Sequence, residues 1–155
     1  LQILTNSFNS TDDVLTAGAF ARRAGDFISK GARAYIYEGK TPISIEFVPG
    51  GGEFAKWGLH AKSFVVDKKH SVISSYNIDP RSDNIDSELV FACFDYPELA
   101  AAVQEDIDLR LKNSIELNRE GRLVDGRSPY VHVSLTKRLL ALIASPFAEL
   151  FDFLL

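Results

Sequence analysis

The chain is short of the residues that would mark it as secreted, metal-bound or nucleic-acid-binding. It has one cysteine, one tryptophan, three histidines and no methionine in 155 residues. A single thiol builds no disulfide framework, so nothing calls for an oxidising compartment. Cys93, inside Leu89-Val-Phe-Ala-Cys-Phe94, reads as a core thiol. No His/Cys/Asp cluster has metal-ligand spacing, and neither a metal nor another cofactor is expected. Lysine and arginine total 17 against 21 acidic residues, a net charge of −4, which argues against a general nucleic-acid binder with its basic footprint. No apolar run reaches the roughly 18–20 residues that a membrane-spanning helix needs. The nearest, Leu139 to Leu155, is interrupted by Pro146 and carries Glu149 and Asp152, with Lys137 and Arg138 just before it. This apolar helical tail, about residues 135–155, could pack on a protein core or lie in a membrane interface. The chain opens at Leu1 inside an apolar strand, Gln2-Ile-Leu4, and is read as a fragment of a longer protein whose targeting signals are not visible here.

What is present suits one globular domain over residues 1–155: 46% hydrophobic and 25% charged residues are ordinary values. A strand ending at Leu4 precedes a helix, capped by Thr11 or Asp12, that runs to about Lys30 with Val14, Leu15, Phe20, Phe27 and Ile28 as its apolar stripe. Gly31 is its natural stop, and Arg33 to Tyr37 alternates as a strand. Strand–helix–strand of this kind implies parallel pairing. Residues 38–58 are irregular, with a short strand at Ile43 to Val48, a turn at Pro49-Gly-Gly-Gly52, and Phe54 and Trp57 either rimming a site or packing under a loop. Glu88 to Phe94 reads as a central strand. Pro97 opens a helix to about Asn113 with Leu99, Val103, Ile107 and Leu111 on one side, and a hairpin follows around residues 118–121. The fold class is α/β, a mixed β-sheet flanked by helices.

The chemistry sits in His60-Ala-Lys62-Ser-Phe-Val-Val-Asp67. Leu59 to Val66 reads as a strand, so His60 and Lys62 point the same way, roughly 7 Å apart. Asp67 to His70 reads as a hairpin turn and Ser71 to Asn77 as the returning strand, which would cluster His60, Lys62, Ser75 and Asn77. Such a set suits a phosphodiester. Lys62 offers a point positive charge, Asn77 a fixed N–H donor, and His60 a group able to act as nucleophile or acid near neutrality. Glu88 is the candidate that orients the His60 ring. Asp67 falls at the turn, where bracing the hairpin is the plainer role. His70 and His132 have no such setting and read as solvated.

Further residues carry a family resemblance. Asn77-Ile-Asp-Pro-Arg81-Ser82, followed by Asn84-Ile-Asp-Ser-Glu88, together with Leu4-Thr-Asn6-Ser7 and Ser10-Thr-Asp12, resemble stretches of bacterial cardiolipin synthases in the phospholipase D superfamily. The nearest type is the cardiolipin synthase C-like branch. Specific motifs cover residues 1 to about 95. Ser74 stands where that family usually has glycine, and Asp86 where it usually has asparagine. The resemblance implies a phospholipase D-like half whose single H-x-K-x4-D motif meets a second one, from a missing N-terminal half or from a second copy. It implies a phosphohistidine intermediate and no metal. It implies catalytic roles for His60, Lys62, Asn77, Glu88 and Asp67, and substrate contacts at Ser75, Arg81, Asn6 and Ser7. The implied activity is phosphatidyl transfer from a phospholipid such as phosphatidylglycerol, with the isolated half inactive. The alternatives are a hydrolytic phospholipase D, a nuclease of the same superfamily, and a non-catalytic lipid-binding half. The implied location is a bacterial inner membrane, held peripherally, or the cytoplasm.

Overall fold

The computed structural model describes residues 1–11, 14–39, 58–77, 82, 84–129 and 133–139, with the backbone alone at Val14, Leu15, Ala19 and Arg22. The expected strand at Ile43 to Val48, the glycine turn, Phe54, Trp57, Asp12, Arg81, His132 and the tail beyond Leu139 lie outside the described residues. The fold is α/β, with two three-stranded sheets. The described residues form two compact units, one from residues 1–59 and 110–139, the other from residues 60–109.

In the first unit, β1 (Gln2–Asn6) runs parallel to β2 (Arg33–Tyr37), joined by α1 (Val14–Ser29), and β6 (Ser114–Glu116) pairs antiparallel with β2. The strand–helix–strand unit therefore has the parallel pairing its pattern implies. α1 stops where expected. Gly31 takes a left-handed φ of 92°, its N–H donates to the Ile28 carbonyl at 3.0 Å, and the Ala32 N–H donates to the Phe27 carbonyl at 3.0 Å. That double closure is the Schellman motif, for which a residue without Cβ is favoured. Ala24, Ala34, Ile36, Leu117 and Leu123 form the core beneath Phe20, Ile28 and Ile115. Each large aliphatic buried there contributes about 1.5–3 kcal/mol. The packing is close. A Cβ on Gly25 would lie 2.5 Å from the Arg119 carbonyl oxygen. Across the sheet, Arg33 meets Glu116 with two contacts of 2.8 Å and sits 5.3 Å from the centre of the Tyr35 ring.

The second unit contains an antiparallel meander of β3 (Lys62–Val66), β4 (His70–Ser74) and β5 (Val90–Cys93). The register sets Lys62 opposite Ser74, Val66 opposite His70, and Ser74 opposite Val90. Asp67 and Lys68 both have positive φ, 52° and 57°, and the Lys69 N–H donates to the Val66 carbonyl at 3.2 Å. Positive φ at both central positions marks a type I′ turn, the hand that matches strand twist. β5 was expected to be a central strand. Among the described residues it is the last strand of the sheet, and Val90 and Phe91 are exposed. Its continuous apolar run reflects two faces suited to burial, not a position between two strands. Cys93, at its end, is half-buried instead of deep in a core. α2 (Pro97–Leu111) begins at proline, places Glu98 in its first turn and Arg110 in its last, and buries Ala100. Those charges complement the helix dipole.

His70 is not solvated as expected. Its side chain is only 23% exposed, its Nδ1 accepts the Asp95 N–H at 3.1 Å, and its ring meets Phe94 edge-on at 5.8 Å. Lys69 reaches Asp95 at 2.9 Å, and the Tyr96 N–H donates to the Lys69 carbonyl at 2.9 Å. These contacts pin the start of β4 to the loop leading into α2.

Candidate functional site

The site grows from the end of the meander opposite the Asp67 turn. His60 is exposed and lies two residues before β3, which begins at Lys62 and not at Leu59. The Lys62 ammonium nevertheless returns to His60: Nζ is 3.2 Å from Nε2, 3.3 Å from Nδ1 and 3.1 Å from the His60 carbonyl oxygen. A point nearly equidistant from both ring nitrogens lies off the in-plane axis of each. The ammonium thus rests against the ring without consuming either nitrogen in a well-directed bond. Cation and imidazole form one unit, and among the described residues no other group meets the ring nitrogens.

His60, Lys62, Ser74, Ser75, Ile73, Leu89 and Phe91 line a concavity of about 410 Å³, open to solvent. The lining combines an ammonium, an imidazole and two hydroxyls with three apolar side chains, of which Leu89 and Phe91 remain 79% and 58% exposed. Ser74 enters because the register sets it opposite Lys62. Its hydroxyl accepts the Tyr76 N–H at 3.2 Å. Ser75 enters from just beyond β4. Its N–H donates to the Leu89 carbonyl at 3.0 Å, its Oγ accepts the Leu89 N–H at 3.0 Å, and its hydroxyl donates to a Glu88 carboxylate oxygen. The other Glu88 oxygen accepts the Ser82 hydroxyl at 2.6 Å, and Ser82 Oγ accepts the Asn77 N–H at 3.2 Å. Ser82, at the inner end of this network, is buried, whereas Ser75 at its outer end is exposed.

The residues expected at the site divide. His60, Lys62 and Ser75 come together in the lining, and Glu88 joins them through Ser75. Glu88 was expected to orient the His60 ring. Among the described residues the group beside that ring is Lys62, and Glu88 receives the two serines instead. Asn77 stands outside the lining, its backbone tied to Ser82. Asp67 belongs to the turn at the far end of β3, roughly 17 Å from Lys62 at strand rise. Arg81 lies outside the described residues. Asn6 and Ser7, expected to touch substrate, are engaged within the first unit. The Asn6 carboxamide clamps the Leu59 backbone, donating to its carbonyl and accepting its N–H, both at 2.7 Å. Ser7 is buried in a turn with Ser10. Sequence reasoning missed Ser74, Ser82, Leu89 and Phe91 as parts of the site. The Ser74-Ser75 pair and the apolar run after Glu88 were the available signals.

No protein-family model matches the chain. Two uncharacterised proteins of Helicobacter pylori, from strains 26695 and J99, are each 36% identical to it over 105 residues, 67% of this chain and 20% of theirs. The chain spans about a fifth of the length of these curated relatives.

Proposed function

We propose that this chain carries half of a phospholipase D-type active site that transfers a phosphatidyl group between alcohols. The observation that supports the reading most directly is the contact between the Lys62 ammonium and the His60 ring at a concavity lined by both hydroxyl and apolar side chains. An ammonium fixed beside an imidazole suits a phosphodiester, because the cation holds phosphate oxygens while a ring nitrogen attacks phosphorus or protonates the leaving oxygen. The apolar side chains, Ile73, Leu89 and Phe91, suit the glyceryl and acyl parts of a lipid better than a polynucleotide, and the net charge of −4 points the same way. The second histidine of the reaction comes from another segment of the full protein or from a second copy. Hydrolysis is the second reading, favoured by the openness of the concavity to water.

Among the described residues no helix is long and apolar enough to cross a membrane. Contact with a bilayer, if the substrate is a phospholipid, is then made peripherally by the described part. The test supplies the full gene product with phosphatidylglycerol vesicles and identifies the products by mass spectrometry. Cardiolipin from the wild type, lost in His60→Ala, is the expected result. Phosphatidic acid alone selects hydrolysis, and no lipid product from a folded wild type rejects both.

A further inference from the structure

The two adjacent serines of the lining have opposite hydrogen-bonding capacity left over. A serine hydroxyl has one hydrogen and two lone pairs. Ser75 gives its hydrogen to Glu88, and one lone pair takes the Leu89 N–H at 3.0 Å. Ser82 donates to the other Glu88 oxygen at 2.6 Å and is tied to the Asn77 backbone, which fixes the carboxylate where it receives that hydrogen. Among the described residues Ser75 Oγ keeps a lone pair and has no hydrogen to give. Ser74 is the reverse. Its Oγ accepts the Tyr76 N–H at 3.2 Å, and among the described residues its hydrogen meets no acceptor. The register sets Ser74 opposite Lys62. Side chains of such a pair share one face of the sheet, with Cβ atoms about 5 Å apart. A donor hydroxyl beside an ammonium suits phosphate oxygens, which offer only lone pairs. The acceptor next to it suits a group that brings its own hydrogen.

We infer that the Ser74-Ser75 pair reads the phospholipid headgroup: Ser74 donates, with Lys62, to a phosphate oxygen, and Ser75 accepts from a hydrogen-bond donor on the headgroup alcohol. This rests on the phosphatidyl-transfer reading above and leaves bond making and proton transfer to the histidines of the two motifs. The substrate class is a phospholipid whose headgroup carries an O–H or N–H, such as glycerol or ethanolamine. A trimethylammonium headgroup carries neither. Seating it would put methyl groups against the Ser75 lone pair in place of water, and a polar group left unpaired in this way is costly. Ser74 stands where the resembled family usually has glycine, so its contact with phosphate is not one that the resemblance supplies. Ser82 is a positioning residue that, through Glu88, keeps Ser75 turned to accept.

The experiment gives the full gene product detergent micelles of phosphatidylglycerol, phosphatidylethanolamine or phosphatidylcholine, with 1-butanol as acceptor, so that all three form phosphatidylbutanol and differ only in the headgroup lost. Ethanolamine and choline headgroups carry the same net charge, which separates the donor from the charge of the micelle. In the wild type kcat/KM for the first two lipids exceeds that for phosphatidylcholine by about tenfold, the weight of one hydrogen bond. Phosphatidylglycerol ahead of phosphatidylethanolamine identifies a hydroxyl as the group read, and the reverse order an ammonium. Ser75→Ala brings the three lipids together, and Ser75→Thr, which restores a hydroxyl, restores the preference. Ser74→Ala lowers kcat/KM for all three alike, by about tenfold. A wild type that uses the three lipids equally, or a Ser75→Ala variant that keeps the preference, overturns the headgroup reading while phosphatidyl transfer stands. Unaltered turnover in Ser74→Ala overturns its contact with phosphate. A folded wild type that makes no phosphatidylbutanol from any of the lipids overturns the headgroup reading and phosphatidyl transfer together.

Discussion

At the scale of single residues, the histidine and lysine of the motif and its acidic member do different work. Lys62 is in the lining, against His60, whereas Asp67 forms a turn at the other end of its strand. Lys62→Ala is therefore expected to cut turnover by about 100-fold or more, the cost of removing one fixed electrostatic donor, with the unfolding temperature unchanged. Asp67→Asn is expected to keep both turnover and stability, since asparagine tolerates the left-handed backbone as well as aspartate does. Steady-state assays and thermal melts on the two variants check the contrast; similar losses in both would put Asp67 in the chemistry. The choice of residue types at the site was legible. Which serine faces Lys62 was not. A four-residue turn over 67–70 would have set Ser75 opposite Lys62 and Asn77 opposite His60. The observed pairing of Val66 with His70 moves the partner to Ser74. A slip of one residue exchanges the two faces of a strand, and turn geometry decides it.

At the scale of elements, punctuation was the readable part. Gly31, Pro97 and the Asn118 turn fall where the chain changes structure because each has a backbone reason to be there. The role of Gly25 was not readable, since its neighbour is a carbonyl from residue 119. Replacing glycine by alanine inside a helix normally gains about 1 kcal/mol. Here the new methyl would meet backbone oxygen, and overpacking costs about 1–3 kcal/mol. Gly25→Ala is expected to lower the unfolding free energy by about 1 kcal/mol, measured by urea titration; a stabilised variant would deny the close approach. The strand pair β2–β6 adds a pH signature. The hydrogen bond from Arg33 holds the Glu116 carboxyl below the ordinary range, against the opposing effect of burial, and the same pair raises the Arg33 guanidinium. A depressed folded value means the contribution is present above the unfolded value of about 4.3 and is lost as pH falls through the folded one. Melting temperature should hold steady from neutral pH to about pH 5 and decline below it, with Glu116→Gln flattening part of that decline. Because the pair is well exposed, the effect is small and shrinks further in salt.

At the scale of the molecule, the α/β class was legible from the strand–helix–strand pattern and the long helix after Pro97. Division into two compact units was not, because nothing in composition changes at residue 60 or 110. The position of β5 was also hidden, since an apolar run reads alike in the middle of a sheet and at its border. That border has a practical meaning. Among the described residues β5 borders the meander, and Val90 and Phe91 stay exposed along it. Preparations of this segment by itself will tend to stack margin to margin, turning cloudy as they are concentrated, and a lysine at Phe91 is the gatekeeper that would keep them clear.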